Sequence, residues 1–136
     1  MLPKPDAREI DRKARMALPH QPIPKLDARE RVLSFDEVYQ PYDAESARTE
    51  AMRCIQCPAA PCSKACPLHN DIPLALWQLE HGEFMEAAVI FRRTSTMSEV
   101  CGRVCPQIVQ CEGACIYANM SLPIAPMAMP GRTKFV

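Results

Sequence analysis

Eight cysteines fall in two compact runs, and the rest of the chain has none. The first run is Cys54-Ile-Gln-Cys57-Pro-Ala-Ala-Pro-Cys62-Ser-Lys-Ala-Cys66-Pro. The second is Cys101-Gly-Arg-Val-Cys105-Pro-Gln-Ile-Val-Gln-Cys111-Glu-Gly-Ala-Cys115. The spacings are C-x2-C-x4-C-x3-C-P and C-x3-C-P-x4-C-x3-C. Thiols this dense either cross-link in pairs or gather around metal, and each choice dictates a different fold.

Four disulfides would suit a shorter, secreted chain. Here Met1-Leu-Pro-Lys-Pro-Asp lacks the apolar core of a signal peptide. No stretch approaches the roughly 20 apolar residues of a membrane span. The expectation is a cytoplasmic chain with no membrane partner, in a compartment that disfavours disulfides. Structural zinc takes four ligands, commonly as two C-x2-C-like pairs. Three closely spaced cysteines plus a remote fourth suit a cubane instead, whose irons project towards four corners. Eight thiolates are the complement for two 4Fe–4S clusters. Cys57, Cys66 and Cys105 each precede a proline, which stiffens the loop and removes a backbone donor.

The closing Cys-Pro of the first run matches bacterial cluster-binding runs, in which the last cysteine ligates the other cluster. Crossing the two runs then partitions the ligands. Cys54, Cys57 and Cys62 hold cluster 1, with Cys115 returning as the fourth ligand. Cys101, Cys105 and Cys111 hold cluster 2, with Cys66 crossing over. Both clusters would be tied to both runs, so assembling them would clamp the segment between.

At 136 residues the chain is one domain by length. Sixteen basic and sixteen acidic side chains balance, which argues against a nucleic-acid partner. Residues 1–30 are rich in proline and charge and read as an extended arm, either a solvated tail or a strap that docks on a surface. Ala44 to Arg53 is helix sequence with Asp43 as N-cap. Asn70 and Asp71 can cap a second helix, with Pro73 in its first turn and Gly82 just past its end. Ile72, Leu76 and Leu79 line one face, and Leu74 and Trp77 widen it. A third helix runs from about Glu83 to Arg93, with Phe84, Ala87, Ala88 and Phe91 at helical spacing. These apolar residues read as core. Residues 119–136 read as an irregular tail. No alternating stretch signals a sheet, so the expected fold class is all-α with long loops, residues 31–118 forming the domain proper.

Several segments together carry a resemblance. They are Arg31-Val-Leu-Ser-Phe-Asp-Glu-Val, Tyr42-Asp-Ala-Glu-Ser-Ala-Arg-Thr-Glu-Ala-Met-Arg-Cys-Ile-Gln-Cys, Cys66-Pro-Leu-His-Asn-Asp-Ile-Pro and Val100-Cys-Gly-Arg-Val-Cys-Pro. The chain resembles, over about residues 30 to 118, the N-terminal iron–sulfur domain of the glutamate synthase small subunit. Sulfide dehydrogenase, the ferredoxin-dependent transhydrogenase and dihydropyrimidine dehydrogenase carry the same domain. The resemblance implies an α-helical ferredoxin fold with two 4Fe–4S clusters, and the crossed ligation agrees with the family's pattern. In dihydropyrimidine dehydrogenase a glutamine replaces one cysteine ligand; Cys101 stands here, as in the all-cysteine branch. Ser95-Thr-Met-Ser-Glu-Val departs from the family's usual Asn-Pro loop. Family members continue into a flavin- and NADPH-binding module. No G-x-G-x-x-G occurs here, and the four glycines are scattered, so FAD and NAD(P)H are expected only on a partner chain.

The functional expectation is an electron-transfer subunit without catalytic residues of its own. It would relay single electrons between a flavoprotein and another redox centre. A freely diffusing ferredoxin-like carrier and a docking module with structural clusters are the alternatives. Proline-rich arms at both ends favour the fixed subunit. Three further candidates have simple structural readings. His69 would tune a cluster or be a solvated loop residue. Arg103 would offset cluster charge or bond a carbonyl. The methionines, among them Met120, Met127 and Met129, would form a contact surface or fill gaps.

Overall fold

The computed structural model describes residues 1–6 and 8–120, the side chains of 119 and 120 excepted. The irregular tail expected beyond Ser121 lies outside the described residues. Among the described residues six α-helices occur in order: α1 Arg12–Met16, α2 Ala44–Met52, α3 Pro61–Ala65, α4 Ile72–Glu80, α5 Phe84–Arg92 and α6 Ser98–Val104. Two 3-10 turns follow at Gln107–Val109 and Ile116–Met120. Among the described residues there is no strand, only an isolated antiparallel bridge between Lys25 and Tyr39. The domain is all-α.

Local chemistry sets the three central helices. Asp43 caps α2 by accepting from Ser46 N at 2.7 Å and from Ser46 Oγ at 3.1 Å. Asp71 accepts from Leu74 N at the start of α4, and proline occupies its first turn. Gly82 ends that helix at φ 83°. Its N–H donates to Leu79 O and Glu83 N–H donates to Gln78 O, the paired bonds of a Schellman stop. The turn needs a left-handed residue, and glycine takes that conformation without strain.

α4 is the central element and packs against α2 on one side and α5 on the other. Fully enclosed Ala47, Ala51 and Ala75 let the α2 and α4 backbones approach closely. Ile72, Leu76 and Leu79 fill the middle, meeting Ile90 and Phe91 of α5. Enclosing one such side chain is worth roughly 1.5–3 kcal/mol. Ala87 and Ala88 are buried as expected, whereas Phe84 is only partly buried. Leu74 is likewise partly buried and, like Phe84, packs against the core, whereas Trp77 is partly buried and lies outside it. Trp77 instead meets the arm: the Arg15 guanidinium lies 5.8 Å from its ring centroid, and the His81 ring lies tilted against it, 4.3 Å between centroids.

The N-terminal arm lies on its own chain. It carries turns at 8–10 and from 28, and the short α1, which Asp11 caps by accepting from Ala14 N. The buried Gln78 amide clasps the Leu2 backbone, donating to its carbonyl and accepting from its N–H, both at 2.8 Å. Gln21 N donates to Glu50 Oε2 at 2.9 Å, and Tyr42 OH donates to Gln21 O at 2.8 Å. The bridge at Lys25 and Tyr39 then folds the arm back against the segment before α2. Composition left a solvated tail and a docking strap open; the bonds that dock the arm come from distant polar side chains.

Candidate metal centre

All eight cysteines are free, and every one lies on or beside the helices just described. Cys54 follows the last turn of α2, where its N–H donates to Ala51 O. Cys62 sits in α3 and Cys101 in α6, two short helices that no capping or periodic signal in the sequence marks. Cys66 and Cys105 follow the ends of those same helices. Cys111 and Cys115 flank a turn in which Gly113 packs so tightly that a Cβ would meet Ile108 O at 2.3 Å. The second run is thus folded on itself through backbone contacts that only glycine permits.

The thiols fall into two electrostatic groups. Burial pushes Cys54 up to about 12, and the neighbouring Cys62, Cys57 and Cys115 raise it further. Burial also lifts Cys62 to about 11, again with Cys115 and Cys57 beside it. Cys57 is raised by burial and by Cys115. In the second group, burial pushes Cys111 to about 12, with Glu112, Cys66 and Cys105 adding to the shift. Cys105 is raised by burial, then by Cys101 and Cys66. A cavity of about 160 Å³ is lined by Cys66, Cys101, Cys105 and Cys111, together with Asn70 and Gln110. Cys66 therefore stands with the second run, although it belongs to the first in sequence.

Thiols held this far above neutrality stay protonated unless positive charge replaces the lost water. A metal does that, and deprotonates a coordinating thiol outright. Each group also has donors aimed at sulfur. Gln56 N–H favours the Cys54 thiolate, the Ser63 N–H and hydroxyl favour Cys62, and Glu112 N–H favours Cys111. Asn70 Nδ2 donates to Cys66 Sγ at 3.5 Å, and Ser95 Oγ lies 3.9 Å from Cys101 Sγ. All-sulfur donor sets, desolvated and ringed by N–H groups, fit iron–sulfur clusters. Among the described residues no three His, Cys, Asp or Glu side chains are gathered for a single metal ion.

The first run carries backbone strain where it turns around the sulfurs. Gln56, Ala60 and His69 have φ of 51°, 41° and 51°. A left-handed non-glycine residue costs of order 1–3 kcal/mol and persists only where the surroundings enforce it. Gln56 is held by Nε2 donating to Pro73 O at 2.9 Å, while its buried Oε1 accepts no hydrogen bond.

Two candidates from the sequence take their bland roles. His69 is exposed, and the side chain that reaches Cys66 is its neighbour Asn70. Arg103 donates to Glu99 O at 3.1 Å and pairs with Glu37 at 2.9 Å, pinning the 31–40 segment to α6. Met85 and Met97 are exposed, whereas Met127 and Met129 lie outside the described residues. Asn70, Gln56 and Gln110 were missed as sulfur-side residues. Their signal in sequence was slight: an amide close to a cysteine, with nothing to say which way it points.

Eight free thiols, three of them buried and five partly buried, gathered in two places fit an iron–sulfur protein of the two-run type. Residues 31–130 match the family model described as dihydropyrimidine dehydrogenase domain II, 4Fe-4S cluster. The chain belongs to that family. It is 45% identical over 91 residues to the glutamate synthase [NADPH] small chain of Halomonas elongata, covering 67% of this chain and 19% of that one. It is 42% identical over 92 residues to the glutamate synthase [NADPH] small chain of Escherichia coli, 68% of this chain and 20% of the relative. The NAD-dependent dihydropyrimidine dehydrogenase subunit PreT of Escherichia coli is 35% identical over 90 residues, 66% of this chain and 22% of its own. The chain thus spans only about a fifth of these relatives' length. No helix among the described residues is long and apolar enough to cross a membrane.

Proposed function

We propose that this chain is an electron-relay module holding two 4Fe–4S clusters, one on Cys54, Cys57, Cys62 and Cys115 and one on Cys66, Cys101, Cys105 and Cys111. The observation that carries this reading is the company of Cys66, which lines a cavity with three cysteines of the other run. Sulfurs spread around a void suit a cubane better than a single ion, which draws its ligands to a point. The clusters supply one-electron redox chemistry. The protein ligates, excludes water and places N–H dipoles against the sulfurs.

The relatives' names include NADPH-dependent glutamate synthase and an NAD-dependent dihydropyrimidine dehydrogenase subunit. By analogy, the relay would run between a flavin reduced by NAD(P)H on a flavoprotein partner and a second redox centre. The docked N-terminal arm changes one argument: it satisfies its bonds on its own chain, so it no longer speaks for a fixed partner. That observation favours the freely diffusing carrier as the second reading.

Anaerobic analysis tests the cluster content. Two cubanes require about 8 iron and about 8 acid-labile sulfide per chain. Stoichiometric zinc without sulfide would overturn the reading. Anaerobic gel filtration of the iron-loaded chain with a glutamate synthase-type flavoprotein separates the two functional readings. A stable flavin-containing complex supports the subunit; reduction of the chain without a lasting complex supports the carrier.

A further inference from the structure

Asn70 is four residues beyond Cys66 and only 1% exposed. Three of its polar groups have partners. Nδ2 donates to Cys66 Sγ at 3.5 Å, Oδ1 accepts from Thr94 Oγ1 at 2.5 Å, and its backbone carbonyl accepts from Ile72 N at 2.8 Å. Asn70 also lines the cavity bounded by Cys66, Cys101, Cys105 and Cys111. A helix cap does not need this arrangement, since Asp71 caps α4.

The Thr94 hydroxyl holds the amide in place, and the sulfur on its other side selects the NH2. An asparagine can present either its oxygen or its NH2 to a neighbour, and the two differ in sign beside a sulfur. The Thr94 hydroxyl can donate or accept, whereas a ligating thiolate only accepts; with Oδ1 bonded to Thr94, the NH2 is the end that meets Cys66 Sγ. Thr94 lies just past the end of α5, so the amide is braced from the helical hairpin rather than from the cysteine loop.

We propose that Asn70, oriented by Thr94, is a positioning residue that raises the reduction potential of the cluster ligated by Cys66. This rests on the proposed ligation of that cluster by Cys66, Cys101, Cys105 and Cys111. Reduction adds one electron, and the added negative charge spreads partly onto the ligand sulfurs. An N–H donor in a dry site stabilises the more negative state more than the less negative one. Hydrogen bonds to sulfur are among the factors that set cluster potentials. The other cluster has no share in this bond, so the two potentials are set apart by it.

The experiment is an anaerobic redox titration of the full iron-loaded chain followed by electron paramagnetic resonance. Asn70→Leu keeps the branched heavy-atom skeleton and removes the donor. The expected result is a shift of one cluster's midpoint to more negative potential, with the other unmoved. Each tenfold change in the ratio of reduced to oxidised cluster at a fixed potential corresponds to about 59 mV for one electron. Thr94→Val frees the amide to turn and should give a smaller shift of the same sign; Thr94→Ser should restore the original midpoint. An unmoved midpoint in an intact Asn70→Leu protein, or equal shifts in both clusters, overturns the proposal. If Asn70→Leu loses iron, Thr94→Val decides, and an unmoved midpoint there overturns it. Cys66→Ser separates the underlying ligation: it must alter the same signal that Asn70→Leu shifts. If it alters the other one, the ligand assignment is what fails.

Discussion

Arg15 and Glu80 form a two-pronged ion pair, Nη1 to Oε2 and Nη2 to Oε1, both at 2.7 Å. The arginine comes from α1 in the N-terminal arm, and the carboxylate from the last turn of α4. Arg15 Nη1 also donates to Met52 O and to Cys54 O, at 3.0 and 2.9 Å. One guanidinium therefore joins the arm, the central helix and the backbone of the first cysteine. The Glu80 side chain is 6% exposed and that of Arg15 16%, so the pair is shielded from solvent.

Removing one partner of such a pair leaves a buried charge unmatched, at a cost of about 3 kcal/mol. Arg15→Ala is expected to destabilise the iron-loaded chain by about that amount in anaerobic denaturant unfolding. Arg15→Lys should recover only part of it, because an ammonium cannot reproduce the fork. A loss below about 0.5 kcal/mol, the range of ordinary surface substitutions, would show that the arm contributes little to stability.

The ligand partition gives a second expectation. Cys66→Ala and Cys101→Ala should abolish the same cluster's resonance signal, whereas Cys115→Ala should abolish the signal that Cys54→Ala also removes. Loss of one signal by both Cys66→Ala and Cys54→Ala would refute the crossed arrangement.

Asp43 supplies a pH dependence. Ser46 N–H, and then the Ser46 hydroxyl, hold its carboxyl below the usual value of 3.8. A depressed folded value means that the cap stabilises α2 fully above 3.8 and loses this contribution as pH falls through the lower folded value. Asparagine caps without titrating in that range. Urea unfolding of wild type and Asp43→Asn at stepped acidic pH should show wild type losing its relative advantage below about pH 3.8. A difference that stays constant with pH would contradict the capping role of the charge.

Gly82 offers a conformational test. Nothing lies within 4 Å of where its Cβ would stand, so Gly82→Ala meets no clash. Only the left-handed φ of 83° opposes it, at a cost of about 1 kcal/mol. Thermal unfolding should register that loss with cluster content unchanged. An unaltered melting temperature would mean that the turn relaxes.

The helices around which the site is built were legible because their signals are local. Asp43, Asp71, Pro73 and Gly82 mark starts and stops within one turn of themselves, and the apolar spacing of α4 and α5 does the rest. The cysteines were legible as two runs, since spacing alone distinguishes clustered thiols from scattered ones. Three features were not. α3 and α6 are 5 and 7 residues long, too short for periodicity to show. The arm's docking depends on Gln78, Glu80 and Glu50, polar residues that a pattern reading assigns to solvent but that the structure buries. Trp77 was placed in the core by its helical position, yet it faces the arm, whose presence there no local signal announces. Tertiary pairing of polar groups at long sequence separation is what a single sequence hides.

Cluster removal joins the strained loops to the core. Gln56, Ala60 and His69 hold left-handed conformations in or just after the first run, each at a cost of order 1–3 kcal/mol. The buried thiols of Cys54 and Cys111, raised to about 12, gain their thiolate charge only with metal present. Without clusters the strained turns keep only protein contacts such as the Gln56 Nε2–Pro73 O bond, while the α2–α4–α5 contact rests on apolar packing that needs no metal. Hydrogen exchange on the chain before and after anaerobic chelation should therefore show a graded result. Amides of residues 54–69 and 98–118 should lose protection first and most. Those of α4, held by Leu76, Leu79 and Phe91, should keep a larger share. Uniform loss across all segments would mean that the helical core is itself assembled by the metal; unchanged protection in the cysteine loops would mean that the strain is borne by the protein alone.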